Sequence, residues 1–514
     1  VSRRAEDLVS WEAPEAPRRA APVYVMLVYA GLLAAVVFAA VAVAGGSRLL
    51  IAAAVTGPAL GLLTLPIARR IARLDGDPGL VAVVMAAFVA KMFGSVLRYY
   101  VAFNVYGGVA DANQYHAYGR WLMPYYRRAD FSPELGPIIG TGWIRALSGG
   151  IYAITGPSKL AAFLVFGFLA FCGTLLFWRA FRSAVPDGDA VRYRTLVLFL
   201  PSLVYWPASM GKEAWVILGL GVTAYGAAVV LRQQLLGYLW VAAGLGAITL
   251  VRPHVALVAF VALAAAELVR KTRRTSTITP VLRAVSLVVL VVIGGFLVGR
   301  AEQFFGVSSL TEETIGATLT TAGERTETGG SAFEAVRVRT PLDFPFAAVT
   351  VLYRPFPFEV ENLQGLLTSL EGVVLAVVTL ASLRRLASIP HHLRRFPYVA
   401  FSLVFVAVFI WAFSAFSNFG ILARQRVQVL PFLLVLVSLP LRPRGGFPPD
   451  EPDEPAEAVP DERDRLPGAA FLDPRAPLDA RVGATAPGAA EAKPGARPDR
   501  SEVPAPSGPG RGGP

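Results

Sequence analysis

Charge is scarce in this sequence: 16% of its residues are Asp, Glu, Lys or Arg, against roughly a quarter in an average soluble protein, so water is not its main solvent. Cysteine is nearly absent. The single Cys172 lies inside an apolar run, which excludes an intrachain disulfide and any zinc site built from thiolates. Alternating apolar and polar segments of about 10 residues are missing too, which excludes a closed transmembrane β-barrel. The basic residues exceed the acidic ones and give a formal net charge of +12. They sit at the ends of apolar runs rather than in a patch, so they are topology signals and no nucleic-acid partner is expected.

Apolar residues make up 54% of the chain. They form runs near 23–44, 49–68, 80–103, 159–177, 194–210, 214–231, 235–251, 255–269, 281–298, 366–383, 397–416 and 427–441. A helix of about 20 residues crosses a hydrocarbon core of roughly 30 Å, so the pattern predicts an all-α integral membrane protein with about twelve transmembrane helices. Ala40, Val41 and Ala42 before Gly45 loosely imitate a signal-peptide cleavage site. The run is longer than a normal h-region and its leader is mixed in charge, so a retained first helix is expected.

Arginines and lysines accumulate in cytoplasmic loops. Here Arg69, Arg70 and Arg73 follow the second run, Arg179 and Arg182 the fourth, Arg270, Lys271, Arg273 and Arg274 the eighth, and Arg384, Arg385, Arg394 and Arg395 the tenth. All of these are even crossings, which places both termini in the cytoplasm and the chain in the plasma membrane. Residues 1–22 then form a cytoplasmic segment, 23–441 a polytopic membrane domain, and 104–158 and 299–365 two large extracytoplasmic loops. Within the loops, a surface or re-entrant helix is expected around Trp143 to Ile154, and the stretch Phe344 to Phe358 is expected to dip back toward the membrane. Residues 442–514, rich in Pro, Gly, Ala and charge, lack the large apolar residues a core needs and read as a disordered cytoplasmic tail.

Candidate chemistry gathers on the outer side. The first loop holds Asp111 and His116 among Tyr115, Tyr118, Arg120, Tyr125 and Tyr126, a set suited to a polar, sugar-like substrate. Asp111 can act as a general base or hold a divalent cation, and His116 can share either task; alternatively, Asp111 caps a short helix from Ala112. In the third run Lys91, Ser95 and Arg98 fall on one helical face. An intramembrane cation normally faces a cavity or a partner. Further cations stand at outer turns: Lys212 beside Glu213, Arg252 before Pro253 and His254, Arg354 with Glu359 beyond it, and Arg424 and Arg426 ahead of Pro431. Arginines should be depleted there, and one polar cavity that binds a phosphate or pyrophosphate explains them together.

These features resemble the GT-C superfamily of membrane glycosyltransferases, of the protein mannosyltransferase and aminoarabinose transferase type. The likeness covers roughly residues 80 to 440. It rests on Asp111 in the first large outer loop and on Gly140, Thr141, Gly142 and Trp143 leading through Tyr152 and Gly156 into an apolar helix. Pro201, the pair Lys212 and Glu213, the pair Arg252 and Pro253, and the closing Arg424, Gln425, Arg426 to Pro431 add to it. The resemblance implies a polyprenyl-phosphate sugar as donor, a glycan or protein as acceptor, Asp111 as catalytic acid or base, and the outer cations as lipid-phosphate ligands. Here two extra helices precede the acidic loop, and no second acid follows Asp111 until Asp130, so a divalent cation remains an open requirement. The same residues also resemble bacterial polysaccharide polymerases and ligases acting on lipid-diphosphate glycans. Twelve helices with Lys91 inside the membrane also fit a secondary transporter, and a purely structural membrane protein is the blandest alternative.

The arginine pattern predicts that tags near Gly107 and Gly329 react with a membrane-impermeant label on intact cells, whereas tags at Gly76 and Gly488 do not. Protection of the Gly329 tag would overturn the assignment of the outer loops.

Overall fold

The computed structural model describes residues 21–108, 111–133, 136–270, 279–309, 311–326, 332–360 and 362–441. The expectations for residues 1–20 and for the tail 442–514 lie outside them, as do Lys271, Arg273 and Arg274. Among the described residues there is no β-strand, and one isolated bridge joins Ala332 to Asn418.

The first half of the chain comprises α1 (Pro22–Ala44), α2 (Arg48–Asp75), α3 (Leu80–Tyr100, continued by a π-helical turn Val101–Val105), α4 (Asp111–Tyr126), α5 (Trp143–Thr155), α6 (Lys159–Ala184), α7 (Ala190–Phe199), α8 (Pro201–Tyr205), α9 (Lys212–Leu231) and α10 (Leu236–Thr249). Then follow α11 (Pro253–Val269), α12 (Thr279–Phe305), α13 (Glu312–Thr326), α14 (Phe344–Tyr353), α15 (Leu363–Leu380), α16 (Leu383–Leu386), α17 (Ile389–Arg395), α18 (Pro397–Phe413), α19 (Phe419–Arg426) and α20 (Leu430–Val437). Six helices are long and apolar enough to cross a membrane, namely α1, α2, α3 with its π-turn, α6, α9 and α15. A seventh span arises if α19 and α20, bent by 60°, count as one.

Several expected runs fall short of that length. Those at 235–251, 255–269 and 397–416 become α10, α11 and α18, of 14, 17 and 17 residues. The run at 194–210 is broken, and proline is the reason. Pro201 has no N–H for the Val197 carbonyl and disfavours helical geometry at Leu200, so α7 ends and the five-residue α8 begins in a new direction. The surface helix expected at Trp143 to Ile154 is α5, and Phe344 to Phe358 contains α14 and a 3-10 turn, Pro357–Glu359.

The centre of the bundle is α6 and α9. In their most apolar stretches 72% and 78% of residues are buried, against 6% in α1 and 17% in α15, whose leucines and valines face outward as lipid-facing side chains do. Small residues allow the close approach: a Cβ at Gly173 or Gly221 would collide with the facing helix's backbone, at Ile217 and at Gly173 respectively. Aromatic rings fill the remainder, with Phe405 stacked on Phe432 at 3.9 Å and Phe177 meeting Phe432 edge-on.

One end of the bundle is tied by ion pairs. Asp75 at the end of α2 meets Arg179 of α6 at 2.6 Å, and Arg232 at the end of α9 bonds Ser183 at 2.9 Å. Asp189 meets Arg385 at 3.0 Å and Asp187 meets Arg395 at 2.8 Å. The basic clusters that follow the second, fourth and tenth runs therefore share an end.

The break between α7 and α8 leaves backbone groups without helical partners, and charged side chains take them up. The Leu203 carbonyl would be bonded by the N–H four residues on, but that residue is Pro207. Lys91 of α3 supplies the donor instead, its Nζ lying 2.5 Å from the Leu203 oxygen. The first-turn N–H of Ser202 donates to the Glu371 carboxylate of α15 at 2.7 Å. Lys91 is 3% exposed, and the Leu203 carbonyl is the one acceptor of its ammonium among the described residues. Replacing Lys91 with Met should lower unfolding stability in nanodiscs by about 1–3 kcal/mol, the cost of an orphaned buried acceptor. A variant as stable as the parent would show that relief of the ammonium's desolvation outweighs the lost bond.

Candidate functional site

At the end of the bundle opposite the ion pairs lies a polar cavity of about 360 Å³. It is formed where α3 and α12 end and where α4, α6, α9 and α11 begin. Arg98 and Ala102 come from α3 and its π-turn, Asp111 and Ala112 from the first turn of α4, and Phe163 from α6. The turn Ser209 to Gly211 leads into Lys212 and Glu213 of α9, Val251 and Arg252 precede His254 of α11, and Phe304 of α12 and Arg424 of α19 complete the wall.

Local sequence explains the presentation. Pro253 occupies the first position of α11, where its fixed φ suits the helix and its missing N–H costs nothing, and it pushes Arg252 out of helical geometry to φ −144°. Gly211 precedes α9 with extended backbone, and neither α9 nor α11 has a side-chain cap. Both helices therefore turn the positive end of their dipoles toward this end of the bundle, an arrangement that favours anions, although in α11 Pro253 has no N–H and the Val255 N–H donates to the Arg252 carbonyl at 3.0 Å.

Glu213 organises the cations. It is 6% exposed and pairs with Arg252 at 2.8 Å and with Arg424 at 3.2 Å. Arg252 also donates to the Gln425 Oε1 at 2.5 Å, and Gln428 donates to the same atom at 2.6 Å. Arg98 donates to the Tyr205 hydroxyl at 3.3 Å, lies over the rings of Tyr205 and Trp206 at 5.2 and 5.0 Å, and keeps a buried Nε without a hydrogen bond. Among the described residues no hydrogen bond or ion pair engages the side chains of Asp111 or Lys212. Four cations thus face two carboxylates, one of which is already committed to two arginines.

Seven of the residues expected to form a site line this cavity: Asp111, Arg98, Lys212, Glu213, Arg252, His254 and Arg424. The other five lie elsewhere, each for a geometric reason. Lys91 bonds the Leu203 carbonyl at the break between α7 and α8. His116 stands five residues from Asp111, about 140° round a helix of 3.6 residues per turn, and so faces α5. Its Nδ1 is 2.7 Å from the Tyr152 hydroxyl, and burial, then Lys159 and Arg120, lower its pKa to about 4, which leaves it neutral near pH 7. Arg426 stands two residues from Arg424, on nearly the opposite face of α19, and donates to the carbonyls of Val351 at 3.0 Å and of Arg354. Arg354 and Glu359 hold each other, with Arg354 Nε at 2.9 Å and Nη2 at 2.5 Å from Glu359 Oε1. Burial favours protonation of Glu359, but Arg354 and the Phe356 N–H together hold its carboxyl below the usual range.

The sequence reading missed Phe304, and it named Tyr115 without giving it a role. Tyr115 sits beneath the cavity, 2% exposed, and its hydroxyl is shifted well upward, first by burial and then by Asp111 and Glu213. Phe304 lies beside His254 with ring centres 5.3 Å apart and planes tilted by 40°, a contact between distant segments with no local signal. As for a metal, among the described residues no group of three or more His, Cys, Asp or Glu could hold one. With Glu213 taken by two arginines, Asp111 is the one carboxylate left in the lining, which does not make a protein-built cation site.

No family model, curated protein or solved structure matches the chain.

Proposed function

We propose that the chain is a membrane glycosyltransferase of the plasma membrane that moves a sugar from a polyprenyl-phosphate donor to a glycan or protein acceptor at the extracytoplasmic face. The observation that carries this reading is the pairing of unengaged Asp111 with unengaged Lys212 in one cavity with excess positive charge, at the N-termini of α9 and α11. A lipid phosphate suits such a cavity, because its headgroup meets cations and helix N–H groups while its tail stays in the bilayer. The basic clusters at the other end support a cytoplasmic orientation for that end. In this arrangement the crossings number about twelve when the broken and short helices are included.

The proposed reaction is a single displacement. Asp111 takes the proton of an acceptor hydroxyl as its oxygen attacks the anomeric carbon, and the bond from that carbon to the phosphate oxygen breaks. Charge grows on the departing lipid phosphate, where Lys212, Arg98, Arg424 and the two helix N-termini stabilise it. Arg252 is positioned by Glu213 and Gln425 and adds to the field.

The purified chain in proteoliposomes should release polyprenyl phosphate from a polyprenyl-phosphate sugar in the presence of an acceptor. Asp111→Asn should reduce that turnover about 10²- to 10⁴-fold, the range of a lost general base, with little change in donor binding. Lys212→Ala should instead raise the donor concentration needed. Full turnover by Asp111→Asn would remove Asp111 from the chemistry, and solute uptake with no donor cleavage would point to a transporter.

A further inference from the structure

A second cavity, of about 270 Å³, shares a wall with the first. Trp206 lines it while Arg98 of the first cavity lies over the same ring at 5.0 Å, and Ala423 lines it beside Arg424 of the first. Its chemistry is different. Among the described residues the one acid in its lining, Glu359, is paired with Arg354, so none of them presents an unpaired charge to a ligand.

What the lining offers is neutral hydrogen-bonding groups beside rings. Asn362 Oδ1 accepts from the Gly365 N–H at 2.7 Å and Gln364 Oε1 accepts from the Tyr106 hydroxyl at 2.9 Å. The Gly365 N–H fixes the Asn362 oxygen and so orients its Nδ2 as a donor, and with the Tyr106 hydroxyl donating to Gln364 Oε1 the Gln364 Nε2 is a donor too; no hydrogen bond engages either nitrogen among the described residues. Tyr106 keeps its oxygen lone pairs, and Trp206 and Phe419 supply aromatic walls. Amide donors, a phenol acceptor and ring surfaces without net charge match a ligand with many hydroxyls and an apolar C–H face.

We propose that this second cavity binds a neutral carbohydrate ring, with Gln364 and Asn362 as donors to its hydroxyls and Trp206 and Phe419 against its C–H face. As the acceptor subsite of the proposed transfer this rests on the glycosyltransferase reading, whereas carbohydrate binding itself does not. The shared wall brings a saccharide here next to the cationic cavity, so that one hydroxyl can approach Asp111 while the lipid phosphate stays with the cations.

The test is saturation-transfer NMR on the full chain in nanodiscs, with mannobiose, cellobiose and trehalose each at about 10 mM, a range suited to millimolar affinity. At least one should give saturable ring-proton signals. Gln364→Ala should weaken them about three- to tenfold, the worth of one hydrogen bond, and Gln364→Glu, which keeps the size but loses the donors, should do the same, while both variants unfold at the parent's temperature. Inorganic phosphate should not displace the saccharide. Absence of signal from all three probes, signals indifferent to both Gln364 variants, or displacement by phosphate would overturn the proposal. Saccharide binding without any donor cleavage would refute the transferase reading and leave this one standing.

Discussion

Backbone N–H and C=O groups cannot be left unpaired where no water reaches, and this fold interrupts its helices at several places within the bundle. Side chains close those interruptions. Lys91 bonds the Leu203 carbonyl and Glu371 accepts from Ser202 N–H where α7 gives way to α8. Arg426 bonds the carbonyls of Val351 and Arg354 at the end of α14, Arg192 bonds that of Val378 near the end of α15 at 3.3 Å, and Arg385 bonds that of Leu439 after α20. Charged side chains at helix breaks and helix ends are therefore, in large part, the means by which short helices are tolerated.

That constraint separates two populations of cations that look alike in the sequence. Those bonded to carbonyls are fixed and have little left to offer a ligand. Lys212 and Arg98 have no carbonyl partner among the described residues and face a cavity, as do Arg252 and Arg424, which Glu213 gathers from distant segments. Because breaking a buried ion pair leaves an uncompensated charge, Glu213 also locks α9, α11 and α19 together at that end. The small residues between α6 and α9 act in the same direction, since the close approach of those helices holds Phe163 and Lys212 at one rim.

Much of this was legible in the sequence, but unevenly. Composition and apolar runs point to an all-helical membrane protein, and the basic clusters after α2, α6 and α15 point to one side for all three. Pro201 and Pro207 already announced that the run at 194–210 could not be a single helix, and the spacings of Asp111 from His116 and of Arg424 from Arg426 already put each pair on different faces. Those signals are local and were open to use. The surplus of outer cations suggests one cavity for Asp111, Lys212, Arg252, Arg354, Arg424 and Arg426, but Arg354 and Arg426 fall outside it, because which cations are consumed by carboxylates and carbonyls depends on tertiary contacts such as Arg426 with Val351. The second cavity had no local signature at all, because Tyr106, Trp206, Gln364 and Phe419 come from four separate segments.

The most direct test of the central claim is an experimental structure of the chain in nanodiscs with added polyprenyl phosphate. The account predicts density for the phosphate in the cavity between Lys212, Arg98 and Arg424, with Asp111 facing it and the tail leaving toward the bilayer. Phosphate density at the opposite end among Arg179, Arg385 and Arg395, or none in the cavity at saturating lipid, would contradict it.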